Sequence, residues 1–315
     1  MDISPPVTSL NLVGACYIDT ILSVSKYPAE DDKLRANSLE KRRGGNAANS
    51  LEVLQQLSIP NGRSIDLSLI CPLPKTDSAA TKFIRESFAP NVDLSLSLCR
   101  ETSSEAASSF IIRSIESGSR TIVNYNDLAE MSLGEFQDLV KQRTKAKNER
   151  SWYHFEGRIP ETSVSCMRWL KETYPDVLTS AEAEKPARPG LDAMASEADV
   201  VFFSKTWAQA GGYTDVASFL QAQAERFKEA RLLCCTWGGD GAAIIRPSDG
   251  MYHHEPAFVD KEKQVVDTVG AGDTFIAGML FQLTTSEKAD VAGALACANK
   301  LAGRKVLQSG FANLV

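Results

Sequence analysis

Asp267-Thr-Val-Gly-Ala-Gly-Asp-Thr-Phe275 is the stretch of sequence that decides the fold. The run Gln264-Val-Val266 before it is typical of an extended segment, and the apolar residues after it recur at helical spacing. Gly270 and Gly272 are therefore predicted to lie where a loop turns into a helix. Glycine lets the backbone come close to a ligand, and the first N–H groups of a helix have no partner within it. Such a helix start attracts phosphate groups.

Asp273 lies within the positive end of this predicted helix. A carboxylate there can accept a proton while the neighbouring amides hold the negative group that moves, which suits phosphoryl transfer to an alcohol. The alternative is an ordinary turn, because an aspartate in a first helical turn is favoured by the helix dipole alone.

A second glycine-rich turn, Arg43-Gly-Gly-Asn-Ala-Ala-Asn-Ser50, also opens a predicted helix. Asn46 and Asn49 are three residues apart, so their side chains share a face of the first turn. Amides both donate and accept hydrogen bonds, as the recognition of several adjacent hydroxyl groups requires. Simple capping by Asn46 is the alternative, but capping explains neither Asn49 nor the paired glycines.

Composition excludes several classes of function. The chain has 315 residues and a net charge of −6, which argues against a nucleic-acid partner or an anionic membrane surface. It has neither an apolar run long enough to span a membrane nor the pattern of a signal peptide. Seven cysteines form no Cys-x-x-Cys pair, so we expect reduced thiols in a cytoplasmic protein. The three histidines show no spacing typical of a metal site.

Short apolar runs alternate with helical patterns along the chain, which predicts a parallel sheet covered by helices on both faces. The predicted strands are Leu10–Cys16, Ile65–Cys71, Trp152–Phe155, Val200–Phe203 and Leu232–Cys235. Two segments break this alternation: Ile18–Ser38, and a predicted hairpin over Ser108–Tyr125. We expect these two segments to form a small separate sheet.

The two glycine-rich motifs together resemble the signatures of the PfkB (ribokinase-like) carbohydrate kinases. Shorter pieces, such as Lys26-Tyr-Pro28 and Glu156-Gly-Arg158, resemble the ketohexose-phosphorylating branch of that family. The resemblance implies an α/β fold, with a ribokinase-like three-layer α/β/α core and a small β-sheet lid. It also implies a single kinase domain over residues 1–315, with the lid contributed by about 17–40 and 105–126.

The resemblance further implies roles for individual residues. Asp273 is the expected base, and the amides from Gly270 through Ala271 and Gly272 to Asp273 are the expected anion hole. The residues expected to bind the sugar are Asp19, Asp31, Gly45, Asn46 and Asn49. Asp31 has acidic neighbours on both sides, so the lid acid that reaches the sugar is fixed only to within one residue.

For ATP, the resemblance points to the glycine-rich turn at Thr236, Gly238 and Gly241, with Arg120, Lys205 and Asn299. The Ser204-Lys205 pair departs from the acidic motif common in the family. For this reason Glu182 or Glu184 is expected to contact magnesium through water. The implied cofactors are ATP and Mg²⁺, with K⁺ left open. Asp267 is expected to fix its loop or to help bind a cation.

The implied reaction is phosphorylation of a ketohexose, with fructose converted to fructose 1-phosphate. Two alternatives stay open at this point: a PfkB kinase for ribose, a nucleoside or 2-keto-3-deoxygluconate, and a non-catalytic relative that senses a sugar. The resemblance also implies a homodimer in which the lids of two subunits clasp each other.

Overall fold

The computed structural model describes residues 7–58, 65–88, 91–144, 150–258, 260, 262–285 and 290–315. Within these residues the helices are α1 Asn46–Ser58, α2 Ala79–Ser87, α3 Leu133–Thr144, α4 Pro160–Thr173, α5 Leu191–Glu197, α6 Lys205–Ala210, α7 Val216–Arg226, α8 Ala271–Thr285 and α9 Val291–Val306. The strands are β1 Ser9–Val13, β2 Tyr17–Val24, β3 Ser38–Gly44, β4 Asp66–Ile70, β5 Pro72–Pro74, β6 Val92–Asp93, β7 Leu98–Arg100, β8 Ala107–Ser114, β9 Arg120–Tyr125, β10 Ser151–Phe155, β11 Leu178–Ala183, β12 Val200–Ser204, β13 Leu232–Thr236, β14 Ala242–Arg246 and β15 Met251–Glu255.

The main sheet has nine strands in the order β15-β14-β13-β12-β11-β10-β1-β4-β6. The strands from β13 to β6 pair in parallel, and β14 and β15 add an antiparallel edge. Helices cover both faces over two separate clusters of buried apolar residues. Parallel strands buried on both faces are apolar almost throughout, so the α/β prediction is confirmed.

The structure differs from the sequence analysis in one predicted strand and one missed strand. β1 ends at Val13 and does not extend to Cys16, because the N–H of Ala15 donates to the Glu156 carboxylate at 3.0 Å and not to a neighbouring strand. Strand β11 was missed because its sequence, Leu-Thr-Ser-Ala-Glu-Ala, is polar although fully buried. The segment Gln264–Val266 is not part of a strand, and the side chains of both valines are exposed.

A separate four-stranded sheet has the order β3-β2-β8-β9. Strands β8 and β9 form the predicted hairpin, while β2 pairs in parallel with β8 and antiparallel with β3. The predicted separate sheet is therefore confirmed, and it also contains the strand β3 with the basic run Lys41-Arg42-Arg43. Its action as a lid stays a prediction.

The two glycine-rich motifs begin helices that pack against each other in the core. Helix α8 is buried along most of its length, and α1 and α9 both pack on it. The stripe Ala47, Leu51, Leu54 and Leu57 buries one side of α1. None of the described helices combines the length and the apolar character needed to cross a bilayer.

Candidate active site

A cleft of about 760 Å³ lies between the small sheet and the carboxyl ends of the parallel strands. The expected site residues that line it are Asp19, Gly45, Asn46, Asn49, Arg120, Glu182, Glu184, Thr236, Gly270, Gly272 and Asp273. Residues more than 200 positions apart in sequence thus face one space. Ligands of open α/β sheets bind at this edge.

Asp273 is held at the floor of the cleft by the first turn of α1. Its Oδ2 accepts a hydrogen bond from Asn49 Nδ2 at 2.8 Å, and its carbonyl accepts one from Ser50 Oγ at 3.0 Å. The residue is only 8% exposed. Burial, and then the charge of Glu182, raise the pKa of the Asp273 carboxyl well above its ordinary value, while the Asn49 bond works in the opposite direction. The Asn49 Oδ1 is buried and has no hydrogen-bond partner among the residues that the structure describes.

The loop before α8 has the shape of an anion site. Gly270 has a φ of +77°, and a Cβ there would collide with the ring of Phe311, so this position requires glycine. The N–H of Ala271 bonds to the Thr268 carbonyl at 3.3 Å and is turned into the loop. The N–H groups of Gly272 and Asp273, in the first turn of α8, have no preceding turn to bond to. Of the predicted anion hole, these two amides are the best placed.

Asn46 joins the two glutamates that the sequence suggested for magnesium. Its Nδ2 donates to Glu182 Oε2 at 2.9 Å and to Glu184 Oε2 at 3.1 Å. Helix α1 begins at Asn46 itself, and the residue before it is Gly45 with a φ of +100°. The side chain is therefore directed across the cleft and not back onto its own helix as a cap.

Glu182 is held from behind by a buried network that sequence reasoning missed. The Nε2 of His154 lies 3.0 Å from Glu182 Oε1, and His154 Nδ1 lies 2.8 Å from Ser180 Oγ. Burial lowers the pKa of His154 to about 3, so the ring is neutral and donates one hydrogen bond. Burial raises the pKa of Glu156 and of Glu182 to about 7, with added repulsion from Glu182 for Glu156 and from Glu184 for Glu182.

The two aspartates expected at the sugar occupy different positions. Asp19, on β2, faces the cleft 3.7 Å from Arg42 Nε, and the close backbone of Gly44 leaves room for its carboxylate. Asp31 is exposed in the turn after β2, with a φ of 64°, and does not line the cleft. The structure therefore brings Asp19, but not Asp31, to the other site residues.

Of the expected ATP residues, only Thr236 and Arg120 line the cleft. Gly238 and Gly241 form the turn between β13 and β14, with φ values of 65° and 98°. Lys205 begins α6, and its Nζ lies 3.6 Å from Asp240 Oδ2 of that turn. Asn299 Nδ2 donates to the carbonyls of Glu255 at 2.9 Å and Pro256 at 2.7 Å, so it ties α9 to the segment after β15.

Five basic residues that the sequence analysis did not single out as ligands also line the cleft: Arg42, Arg113, Arg158, Lys185 and Arg188. Arg158 Nη1 donates to the Tyr17 hydroxyl at 2.7 Å and links the small sheet to the end of β10. Two short stretches that resemble the family contained a signal for some of the missed residues. Glu156-Gly-Arg158 includes Arg158 and the buried Glu156, and Glu182-Ala-Glu-Lys185 includes Lys185. Arg120 contacts Asp267, with Nη1 3.8 Å from Oδ1.

The described residues contain no cluster of three or more His, Cys, Asp or Glu side chains able to hold a metal ion. Glu182 uses both carboxylate oxygens within the protein, and Glu184 is exposed at the cleft. This donor set fits a magnesium ion that arrives with nucleotide phosphates and keeps most of its water ligands. It does not fit a resident ion held by protein ligands alone.

Comparison with known proteins agrees with this geometry. The family model described as "pfkB family carbohydrate kinase" matches residues 7–315. Ketohexokinase from Mus musculus is 33% identical over 96% of this chain and 97% of its own length. An ATP-dependent ribose-1-phosphate kinase from Halopiger xanaduensis is 26% identical over 92% of this chain and 90% of its own.

Solved structures show the same fold at low sequence identity. Arabidopsis thaliana ribokinase, in complex with ribose and ATP, superposes with a TM-score of 0.77 at 17% identity, over 96% of this chain and 94% of that one. Ribokinase from Giardia lamblia gives 0.76 at 17% identity, over 98% and 96%. The ribokinase-like fold is thereby confirmed. With a family match over nearly its whole length, the chain belongs to the pfkB family of carbohydrate kinases and is a phosphotransferase that acts on an alcohol group.

Proposed function

We propose that this chain transfers the γ-phosphoryl group of ATP to the 1-hydroxyl of fructose. The observation that carries the kinase assignment is the buried Asp273, held by Asn49 at the start of α8 and facing the cleft. The choice of fructose rests on the similarity to ketohexokinase over almost the full length of both proteins.

In this reaction the Asp273 carboxylate takes the proton of the sugar hydroxyl. That oxygen forms a bond to the γ-phosphorus, and the bond from this phosphorus to the β–γ bridging oxygen breaks, with ADP as leaving group. The raised pKa of Asp273 makes its ionised form a stronger base than an exposed aspartate. The amides of Gly272 and Asp273 hold the charge on the moving phosphoryl group.

The sugar lies, in this proposal, between the small sheet and α1. Asp19 accepts from adjacent hydroxyls, while Asn46 and the backbone at Gly45 contact the same side. The unpartnered Oδ1 of Asn49 accepts one further sugar hydroxyl. Movement of the small sheet towards the core as a lid would bring Asp31, or an acid beside it, over the substrate.

ATP binds at the end of the cleft formed by Thr236, the Gly238–Gly241 turn, Lys205 and Asn299. Glu182 and Glu184 would hold the water ligands of a magnesium ion bound with the phosphates, which would neutralise their charge. Arg120 is placed to reach a phosphate when it leaves Asp267.

We also propose a homodimer formed through the small sheets. Phe110 and Val123 are paired neighbours on β8 and β9, and they are 52% and 62% exposed on the side of the sheet away from the cleft. An exposed apolar strand face favours pairing with a second chain. The seven cysteines are all free thiols, which supports a cytoplasmic location.

The test is ADP release with ATP and magnesium against fructose, ribose, adenosine and 2-keto-3-deoxygluconate. We expect fructose to give the highest kcat/KM, with product carrying phosphate on the 1-hydroxyl. Asp273→Asn should lower kcat by roughly 10²–10⁴-fold while sugar binding is kept. Asp215→Asn, at the N-cap of α7, is the matched control because it replaces a helix-start aspartate remote from the cleft.

If another sugar is phosphorylated faster, the kinase assignment stands and that sugar replaces fructose as the proposed substrate. Near-normal turnover by Asp273→Asn would remove this residue from the mechanism. Sugar binding without ADP release on any substrate would favour the non-catalytic alternative.

A further inference from the structure

A fully buried lysine lies directly behind the anion loop. Lys305 is the penultimate residue of α9, and its side chain is 0% exposed. Lysine is almost never buried to this extent unless its charge is paired. In the described part of the chain no other lysine is buried. The position of this ammonium group therefore needs a reason.

Three oxygen atoms converge on the Lys305 ammonium. Its Nζ lies 3.2 Å from the Asp267 carbonyl, 3.5 Å from Asp267 Oδ2 and 3.4 Å from the Gln308 carbonyl. Carbonyl and carboxylate oxygens only accept hydrogen bonds, and an ammonium group has three donors and no acceptor. Burial lowers the pKa of this ammonium, and the Asp267 carboxylate raises it. Three acceptor oxygens around one nitrogen match the three donors of a protonated amine.

The same set of groups fixes the anion loop. Asp267 Oδ1 accepts from the N–H of Val269 at 3.0 Å, one residue before Gly270. The ring of Phe311 lies 5.3 Å from Lys305 Nζ and also blocks any side chain at Gly270. One face of the loop is thus held through the Asp267 carboxylate and the other through Phe311. The ammonium lies between Asp267 and Phe311 and contacts both.

Two backbone carbonyls and a carboxylate are also the oxygen ligands that an alkali-metal ion would take. Here the covalently attached ammonium occupies the point where they converge. We propose that Lys305 is a positioning residue that takes the place of a monovalent cation behind the anion loop, so that phosphoryl transfer by this chain does not depend on added potassium. This rests on the proposed function in so far as the loop holds the phosphoryl group.

The first experiment needs no variant. The full chain is assayed with magnesium-ATP and its best sugar in potassium chloride and in tetramethylammonium chloride at equal ionic strength. We expect rates within about twofold of each other, because the larger cation cannot enter a site of this kind and Lys305 already fills it. Stimulation by potassium of about tenfold or more would overturn the proposal.

The second experiment removes the ammonium. Lys305→Ala leaves space beside the three oxygens, and Lys305→Met fills that space without charge. Both should lower kcat by roughly 10- to 100-fold, less than the loss of a direct anion-hole donor. Potassium or methylammonium should restore a large part of the rate to Lys305→Ala and none to Lys305→Met. Lys300→Ala, on an exposed position of the same helix, is the control and should keep the wild-type rate.

Melting temperature separates this inference from the choice of substrate. Potassium in place of tetramethylammonium should raise the melting temperature of Lys305→Ala and leave that of the wild type unchanged, even if none of the sugars tested is phosphorylated. A Lys305→Ala protein that is destabilised but responds to neither cation would show a merely structural lysine and overturn the proposal. If this variant does not fold, the wild-type comparison of the two salts decides alone.

Discussion

Asn49→Ala is the substitution that tests the site most directly, because Asn49 contacts the proposed base and faces the proposed sugar. Its Nδ2 donates to Asp273 Oδ2 at 2.8 Å, and its buried Oδ1 has no partner in the described part of the chain. The substitution removes both functions without adding a new group. Its effect on the base is measured in the pH profile of activity, and its effect on the sugar is measured in sugar binding.

The effect on the base follows from the hydrogen bond that is lost. A hydrogen bond to a charged group contributes about 1.5–3 kcal/mol, and each pKa unit corresponds to about 1.4 kcal/mol. This bond lowers the pKa of Asp273, so its removal raises that pKa further. Because the base acts in its ionised form, the acidic limb of the profile of kcat/KM against pH should move to higher pH, and on that limb the lost bond should lower kcat/KM by roughly 10- to 100-fold.

The effect on the sugar is smaller. Loss of the acceptor Oδ1 removes one hydrogen bond to a hydroxyl, worth about 1 kcal/mol, so sugar affinity should weaken by roughly fivefold to tenfold. ATP affinity should change little. The two measurements are ADP release between pH 5 and 9, and calorimetric titration with sugar and with a non-hydrolysable ATP analogue.

Asn46→Ala is the matched control, since Asn46 contacts Glu182 and Glu184 but not Asp273. It should weaken sugar binding without moving the acidic limb to higher pH. An Asn49→Ala enzyme whose acidic limb stays within about 0.3 pH unit of the wild type would refute the claim that Asn49 sets the basicity of Asp273. If only its melting temperature fell, Asn49 would be a structural residue.

Two further predictions concern stability and assembly. The folded pKa of Glu182 is raised from 4.5 to about 7, so its stabilising contribution is present below pH 4.5 and is lost as pH rises towards 7. Glu182→Gln should therefore flatten the fall in the free energy of unfolding over that range, as measured by urea denaturation. An unchanged slope would contradict a buried glutamate with a high pKa. Phe110→Ser should lower the mass measured by light scattering from that of a dimer to that of a monomer. The control Tyr252→Ser, on the outer strand of the main sheet, should leave the mass unchanged. A monomeric wild type would contradict the proposed contact between lids.

The sequence predicted the fold class because local patterns are sufficient for it. Apolar runs such as Val200–Phe203 form strands that are buried on both faces, and the two glycine-rich turns have a composition that few other structures require. It also predicted the hairpin of the small sheet, since the turn and the flanking strands lie next to each other in the chain. Strand β11 was missed because burial in the middle of a sheet does not need an apolar sequence when neighbours supply hydrogen bonds, as His154 does for Ser180.

The sequence by itself determined that Asp273 opens a helix after a glycine-rich loop and that Asn46 and Asn49 share a face of another helix start, because both are properties of short segments. Only the tertiary structure decided that Asn49 bonds Asp273 across 224 positions, that Asn46 bonds the two glutamates, and that Lys305 lies behind the anion loop. Such contacts depend on how sheets and helices pack. Hydrogen bonds and charge pairs act over a few ångströms of space, and sequence patterns record periodicity within one element but not which elements meet.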